Sequence, residues 1–306
     1  MSKQSRATLS VAMVIALAAV FTLPVSCAAG EKIDETRAVA ADADIEISNV
    51  AGSVVVTGWD RREIHIEGVL GDGTERLDID GDEHRLRIRV VVPRRMRGVE
   101  DTDLEIHLPA TCELEVATVS ADIAVEQLTG ELTLESVSGD IDLTVEAKEV
   151  DAQTVSGEID LQGGAPETIL GSVSGDISIA GIPQALIVDL EAETVSGDLI
   201  VEGATFRACR LNSVSGEIEF SGRLTESGDY TFSTHSGDIA LELAGELNAQ
   251  FDISTYSGEI ESDFGPKRRS GRSKYRGATE LYFELGSGEA DVDIETFSGD
   301  IVLEGR

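Results

Sequence analysis

The stretch Thr154-Val155-Ser156-Gly157-Glu158-Ile159 decides the fold of this chain, because near-copies of it recur at almost constant spacing. Each copy contains a small hydroxyl residue, a variable residue, Ser, Gly, an acid and an aliphatic residue that opens a strand-like run. The nine copies begin at residues 118, 136, 154, 172, 194, 213, 234, 255 and 296. A unit repeated this often predicts a repeat architecture and not an isolated site motif.

The spacing of the copies predicts a β-solenoid. The fourth residue of the unit recurs at steps of 18, 18, 18, 22, 19, 21, 21 and 41 residues. Gly and Ser at every turn argue against a helical repeat, since both destabilise helix interiors. Residues repeated at one period stack on themselves, so each column of the stack is chemically uniform. We therefore predict an all-β, single-stack solenoid with coils of about 18–22 residues, in preference to an antiparallel sandwich.

Strand alternation assigns a side to each position of the unit. Ile159 and Thr154 should face inward, so the hydroxyl residues form a ladder that can hydrogen-bond along the stack. Glu158 and Val155 should face outward. Ala121 replaces Gly in the first copy, which we predict to lie nearest a cap. The outward column that contains Val155 reads Val119, Val137, Val155, Val173, Val195, Val214, His235, Tyr256 and Phe297.

The N-terminal residues predict export. Two cations precede an apolar run over residues 7–23, and small residues follow, which is the pattern of a secretory signal peptide over residues 1–29. Cys27 is a lipidation candidate, and ordinary cleavage after Ala28 or Ala29 is the alternative. Both routes predict an exported protein, in the periplasm, as an outer-membrane lipoprotein or at the cell surface.

The remaining chain divides into three parts. Residues 30–44 are polar, Ala-rich and aperiodic, and predict a linker. Residues 45–117 carry strand-length runs without the regular unit, and predict irregular N-terminal coils or a cap. Residues 118–306 predict the regular solenoid, with a basic insert at residues 266–277. Because the chain stops just after its last unit, we predict an open C-terminal edge on which another copy could stack.

Composition narrows the choice of partners. A formal net charge of -34 at pH 7 argues against nucleic acid and anionic lipid, since both need a surplus of Lys and Arg. The insert is the exception, and its cations could fold against the acidic edge or contact a polyanion or partner. These cations are Lys267, Arg268, Arg269, Arg272, Lys274 and Arg276.

The repeated acids and the two later cysteines have structural explanations. Stacked carboxylates should keep the edge soluble, but they also repel one another, and a calcium ion would relieve that repulsion. Cys112 and Cys209 lie about five repeats apart, on the order of 24 Å, which is beyond disulfide reach. We predict them to be buried free thiols. The calcium candidates are Asp140, Glu158, Asp176 and Asp198.

A catalytic site does not emerge from the pattern. The carboxylates are repeated, so no pair stands out as an acid and base, and the four histidines are scattered. None of the nucleophile, metalloprotease or phosphate-loop motifs is present in the sequence. We therefore expect no enzyme and no cofactor, with calcium as the one exception.

The Val-Ser-Gly-acid-Ile units, the opening segment at residues 49–56 and the Gly-rich break before the closing unit at 296–301 carry a family resemblance. The chain resembles the bacterial β-strand-repeat domains of unknown function named putative adhesins, which are related to the head-GIN-type putative autotransporter adhesins. The resemblance covers residues 40–306. It implies an exported single-stack solenoid without established enzymatic activity, and it supplies no catalytic residues.

These observations predict a non-catalytic exported protein that presents a surface for binding or scaffolding in the cell envelope. An envelope protein or a glycan would be the partner. Two alternatives stay open, namely a self-associating envelope scaffold and a β-helical carbohydrate-active enzyme. The candidate contact residues are the six cations of the insert together with His235, Tyr256 and Phe297.

Overall fold

The computed structural model describes residues 31–93, 100–181, 187–265 and 279–306. Every helix or strand assigned in these ranges is a β-strand. The predicted signal peptide with Cys27, and the basic insert with its six cations, lie outside the described residues. Within the described ranges no helix is long and apolar enough to cross a membrane.

The described residues form 22 strands in one continuous hydrogen-bonded sheet. The strands of the first half are β1 (Glu31–Ala38), β2 (Asp44–Trp59), β3 (Glu63–Leu70), β4 (Arg76–Gly81), β5 (Arg85–Val91), β6 (Thr102–Pro109), β7 (Glu113–Glu126), β8 (Glu131–Glu135), β9 (Ile141–Glu146), β10 (Glu149–Gln153) and β11 (Ile159–Gly164). Those of the second half are β12 (Glu167–Gly171), β13 (Ile177–Ala180), β14 (Ile187–Thr194), β15 (Leu199–Ser215), β16 (Ile218–Ser236), β17 (Ile239–Leu243), β18 (Ala249–Ser257), β19 (Ile260–Ser262), β20 (Thr279–Leu285), β21 (Ala290–Ser298) and β22 (Ile301–Gly305).

The sheet winds as a β-solenoid, as the sequence predicted. Each coil places one strand before the Ser-Gly corner on a first face and one strand after it on a second face. On the first face β8, β10 and β12 pair in parallel, and on the second face β9, β11 and β13 do the same. Like residues pair from coil to coil in this part of the stack, so Ile159 pairs with Ile141 on one side and with Ile177 on the other. The register shifts further on, between β14, β15 and β16.

The core lies between the two faces and consists of uniform columns. Ile159 and Leu161 are buried while Asp160 is exposed, so the predicted alternation is confirmed. Burying one such side chain contributes roughly 1.5–3 kcal/mol, and the column repeats that contribution in every coil. Ile260 is only partly buried because its coil lies at the end of the stack. The fully buried members of the isoleucine column are Ile123, Ile141, Ile159, Ile177, Leu199, Ile218, Ile239 and Ile301.

The C-terminal coil lies inside the stack and not at its end. Strand β21 pairs with β16 on one side and with β18 on the other. In the same way, β22 is held between β17 and β19. The coil of β18 and β19 precedes this coil in the chain but stacks outside it. The predicted open edge at the C-terminus is therefore wrong, since the last strand has a neighbour on both sides.

The N-terminal end is also stacked out of chain order. Strand β2 is held between β7 on one side and β5 and β6 on the other. Asn49 pairs with Thr118, so the segment starting at Asn49 is a further copy of the corner. Ala121 is therefore not next to a cap. It lies where the strand ladder continues through the corner, opposite Gly52.

Antiparallel strands close both ends of the parallel stack. Strands β3 and β1 add to β6, and β4 adds to β5. At the other end, β20 adds antiparallel to β18. The predicted linker is thus wrong over β1. The sequence pattern does not indicate this strand, because two of its inward positions carry Glu35 and Arg37. The Arg37 guanidinium lies over the end of the core and donates to the carbonyl of Ile79 at 2.8 Å.

Glycine is required at the regular corners because neighbouring coils touch there. A Cβ on Gly157 would lie 2.1 Å from the carbonyl oxygen of Gly139, and one on Gly175 would lie 1.8 Å from that of Gly157. These distances are far below van der Waals contact, so a methyl group would force the coils apart.

We expect Gly157→Ala to lower the free energy of unfolding by roughly 1–3 kcal/mol, because the backbone must move to admit the methyl group. The measurement is urea unfolding followed by circular dichroism. Gly171→Ala is the matched control, since its Cβ would meet only the Gln153 Cγ at 3.7 Å. Equal effects of the two substitutions would contradict the close-approach explanation.

The stacking order predicts an unusual response to truncation. A chain that ends at residue 289 lacks β21 and β22, so β18 to β20 lose the coil on which they stack. Limited proteolysis should trim such a chain to a product that ends near Leu243. A stable product that retains β18 to β20 would contradict the dependence of this end on β21 and β22.

Candidate functional site

The hydroxyl residue of each unit is buried and ties neighbouring corners together. Thr154 Oγ1 donates to the carbonyl oxygen of Gly139 in the preceding coil at 3.3 Å and accepts the N–H of Gly157 at 3.1 Å. Ser172 repeats both contacts one coil further on. The ladder along the stack therefore runs mainly from hydroxyl to glycine carbonyl, whereas hydroxyl-to-hydroxyl contact is recorded between Thr118 and Ser136 at 3.1 Å.

The acid of each unit also has a structural role when it is aspartate. The carboxylate of Asp140 accepts the backbone N–H of Glu158 at 2.9 Å, and that of Asp176 accepts the N–H of Asp198 at 2.8 Å. Glutamates in the column, such as Glu158, accept no such bond among the described residues. The aspartates that accept are Asp122, Asp140, Asp176, Asp198, Asp238 and Asp300.

The four calcium candidates lie in successive coils at this corner. Asp140, Asp176 and Asp198 each use one carboxylate oxygen to hold the next coil, while Glu158 points into solvent. Within the described ranges, the column does not bring three potential ligand atoms within 4.8 Å of one another. Calcium binding by this column stays a prediction.

We expect Asp140→Ala to lower the Tm by about 2 °C, because a backbone N–H at the corner loses its charged acceptor. Glu158→Ala is the control and should leave the Tm unchanged. Both variants are measured by thermal unfolding at low and high salt. A similar loss in the two variants would mean that the acids act only through solubility or general charge.

The outward column of the unit forms a continuous exposed strip, which we call the apolar ridge. It begins at Val119, runs through the valines and ends in three aromatic residues. Each valine and both Phe297 and Tyr256 are between 44% and 48% exposed, so the predicted outward orientation is confirmed. The ridge consists of Val119, Val137, Val155, Val173, Val195, Val214, His235, Phe297 and Tyr256, in stacking order.

The aromatic end of the ridge is one stack of rings. Phe297 lies between His235 and Tyr256, with ring centroids 4.9 Å and 4.8 Å apart and interplanar angles of 13° and 5°. This order results from the inserted C-terminal coil, which places Phe297 between two residues that precede it in the chain. Both faces of the Phe297 ring are therefore covered by its two neighbours in the stack.

The two described cysteines lie in the core and not at the ridge. Both are free and buried, as predicted. Burial raises the pKa of the Cys112 thiol to about 11, and burial also raises the pKa of Cys209. Both thiols are therefore protonated and unreactive near neutral pH.

The outward faces of the strands carry closely spaced carboxylates. Burial raises the pKa of Asp142, and the charges of Asp160, Asp140 and Asp122 raise it further. The pKa of Asp293 on the first face is raised for the same reasons, with burial again the largest cause. These faces thus repel anionic partners and leave the apolar ridge as a surface of different character.

A protein-family comparison now places the fold. The family model described as Toastrack DUF4097 matches residues 38–304. The chain belongs to the Toastrack DUF4097 family. This confirms the expected relationship to repeat domains of unknown function. No curated protein matches the chain.

Several solved structures are similar to this Toastrack chain. One is named a putative adhesin of Bacteroides fragilis NCTC 9343, with 14% identity, a TM-score of 0.45, and coverage of 89% of this chain and 97% of that one. Another is named a putative adhesin of Parabacteroides distasonis ATCC 8503, with 11% identity, a TM-score of 0.35, and coverage of 90% and 98%. A third, from Parabacteroides merdae ATCC 43184, has 12% identity, a TM-score of 0.37, and coverage of 70% and 90%.

Proposed function

We propose that this protein is a non-catalytic binding protein of the cell envelope, and that its apolar ridge contacts a partner protein. One observation carries the proposal. Among the described residues, ten large hydrophobic side chains are exposed, and eight of them lie in this single column. Exposed apolar groups that are gathered in one place, and not scattered, are typical of interaction surfaces.

The ridge has the anatomy of an elongated protein contact. Its nine positions in successive coils span about 38 Å at the usual spacing between strands. An exposed serine follows each ridge residue, as Ser156 follows Val155. An apolar line with a polar border resembles the core and rim of a protein interface.

A protein partner fits the ridge better than a glycan. Sugar rings usually pack on the open face of an aromatic ring, and a glycan also needs converging hydrogen-bond groups. Here Phe297 is covered on both faces by His235 and Tyr256. The valines offer no hydrogen bonds at all.

Valine could also occupy these corners for its shape alone, because a β-branched residue suits an extended strand. Threonine has nearly the same shape but presents a hydroxyl to the partner. Replacing ridge valines by threonine therefore separates the two explanations, since a shape requirement would tolerate threonine and an apolar contact would not.

The partner can be identified by photo-crosslinking in the native host. A photoreactive residue at Val155 or Val173 should form crosslinks with one envelope protein, whereas the same residue at Asp160, on a strand face, should not. With the purified partner, the triple variant Val155→Thr, Val173→Thr and Val195→Thr should weaken the Kd by at least about tenfold, or roughly 1.4 kcal/mol. Its Tm should stay unchanged.

Three results would contradict the proposal. Crosslinking at Val155 no stronger than at Asp160 would remove the ridge as the contact surface. Unchanged affinity of the triple threonine variant would do the same. Tight binding on a glycan array, insensitive to the valine substitutions, would favour a glycan ligand at another surface.

The self-associating scaffold has less support than before. Its basis was an exposed C-terminal strand, and β22 is paired on both edges. The edge strand β1 at the opposite end turns Glu35 and Arg37 inward, a device that protects sheet edges. Sedimentation at rising concentration distinguishes the alternatives, because a scaffold polymerises and the proposed binding protein stays monomeric.

The carbohydrate-active alternative would need a pair of carboxylates beside a cleft. A shallow hollow of about 910 Å³ borders Glu202, Glu219 and Glu242 on the second face. Arg306 already pairs with Glu242 at 3.5 Å, and it donates to Ser221 at 3.4 Å. We therefore propose no hydrolytic role for this hollow, and polysaccharide turnover assays should show none.

A further inference from the structure

A cluster of possible metal ligands lies on the outward side of the N-terminal end strands, far from the ridge in the stack. Asp34 lies on β1, and His65 and Glu67 lie two residues apart on β3, so both project from one face. The antiparallel register places Asp34 opposite Glu67. One ligand atom from each of these three residues lies within 4.8 Å of the other two.

The imidazole of His65 is fixed in the orientation that a metal ligand needs. Its Nδ1 hydrogen-bonds Thr36 Oγ1 at 2.8 Å, and its Nε2 lies 2.9 Å from Glu67 Oε1. In metal sites one ring nitrogen binds the ion while the other is held by a hydrogen-bonding partner. Thr36 is that partner here, which leaves Nε2 directed towards the carboxylate.

The electrostatic field at this position favours a cation. Glu63 and Glu67 flank His65 on the outward side of β3, and Asp34 lies opposite Glu67 on β1, so their negative charges attract a cation. The next carboxylate across the ladder from Glu67 is Glu105.

A half-buried histidine lies beside the cluster on the same outward face. His107 is the cross-strand neighbour of His65 on β6. Its ring packs on Trp59 with centroids 5.3 Å apart. The buried Nδ1 of His107 has no hydrogen-bond partner among the described residues.

We propose that Asp34, His65 and Glu67 bind a divalent transition-metal ion of the zinc type. One imidazole nitrogen and two carboxylate oxygens are a ligand set that Zn²⁺ uses, with water in the remaining position. Calcium and magnesium prefer oxygen ligands alone, and calcium prefers more of them. Zinc ligands lie about 3.3 Å apart in a tetrahedral site, so the exposed Asp34 and Glu67 side chains need only rotate inward.

The ion would fasten an edge strand to the sheet. Strand β1 has exposed or half-exposed side chains throughout, so burial of apolar groups contributes little to holding it. A metal coordinated by Asp34 on β1 and by two residues on β3 would cross-link the two strands. Metal binding and the order of β1 should therefore rise together.

The test uses the untagged chain, freed of metal, with Cys27→Ser so that this thiol cannot bind the ion. Calorimetric titration with Zn²⁺ should show one site, and Mg²⁺ and Ca²⁺ at the same concentrations should show none. His65→Ala and Glu67→Gln should each weaken zinc binding at least about tenfold, and Thr36→Val should weaken it about tenfold through the lost orientation of the imidazole.

His84→Ala is the matched control. His84 is a surface histidine with one carboxylate, Glu83, 3.7 Å away, and its loss should leave zinc binding unchanged. Hydrogen exchange gives a second readout, because zinc should slow exchange in β1 of the parent chain and not in His65→Ala. Circular dichroism confirms that each variant is folded.

Clear outcomes would overturn the assignment. Absence of binding at 100-fold excess of zinc over protein, or equal affinity in His65→Ala and the parent chain, would show that the cluster is not a metal site. Equal losses in His65→Ala and His84→Ala would indicate nonspecific surface binding. Cobalt substitution adds a spectroscopic check, since a tetrahedral site gives strong visible absorption and a hydrated surface ion does not.

Discussion

The structure depends on the close approach of successive coils at the Ser-Gly corner. Only a hydrogen atom fits between the Gly157 Cα and the carbonyl of Gly139. That contact fixes the distance between coils, and the Thr154 hydroxyl then reaches the same carbonyl. The aspartate side chain has the length needed to reach the backbone N–H of the acid in the next coil, as Asp140 reaches that of Glu158. The unit Thr-x-Ser-Gly-Asp-Ile is thus one joint with an inner hydroxyl contact and an outer carboxylate contact.

The repeat made much of this predictable. The nearly constant spacing of the units predicts that like residues stack in columns. The alternation of side chains along a strand predicts that Ile159 is buried and that Asp160 and Val155 are exposed, as they are. The order of coils could not be predicted, because the units at Thr255 and Thr296 are almost the same in sequence. Either could stack on the coil of Thr234. The structure places the coil of Thr296 there, through the pairing of β21 with β16.

The N-terminal end strand could not be predicted from the sequence for a different reason. Strand β1 has no clear apolar alternation, because two of its three inward positions carry Glu35 and Arg37 and only Ile33 packs on the core. The cluster of Asp34, His65 and Glu67 was missed with it, since ligands on separate strands have no fixed spacing in sequence. Only the antiparallel register brings them together. The ridge could be predicted because it follows the repeat, whereas the metal site lies where the repeat stops.

The internal position of β21 and β22 has a consequence for how the chain is completed. In an ordinary solenoid, each coil can settle on the one before it as the chain emerges, so assembly follows synthesis. Here the coil of β18 and β19 stacks on β21 and β22, which follow it in the chain. Strand β22 lies between β19 and β17. The contacts that close this end are long-range and form late. The coil of β18 and β19 therefore reaches its place in the stack only together with β21 and β22, which follow it in the chain.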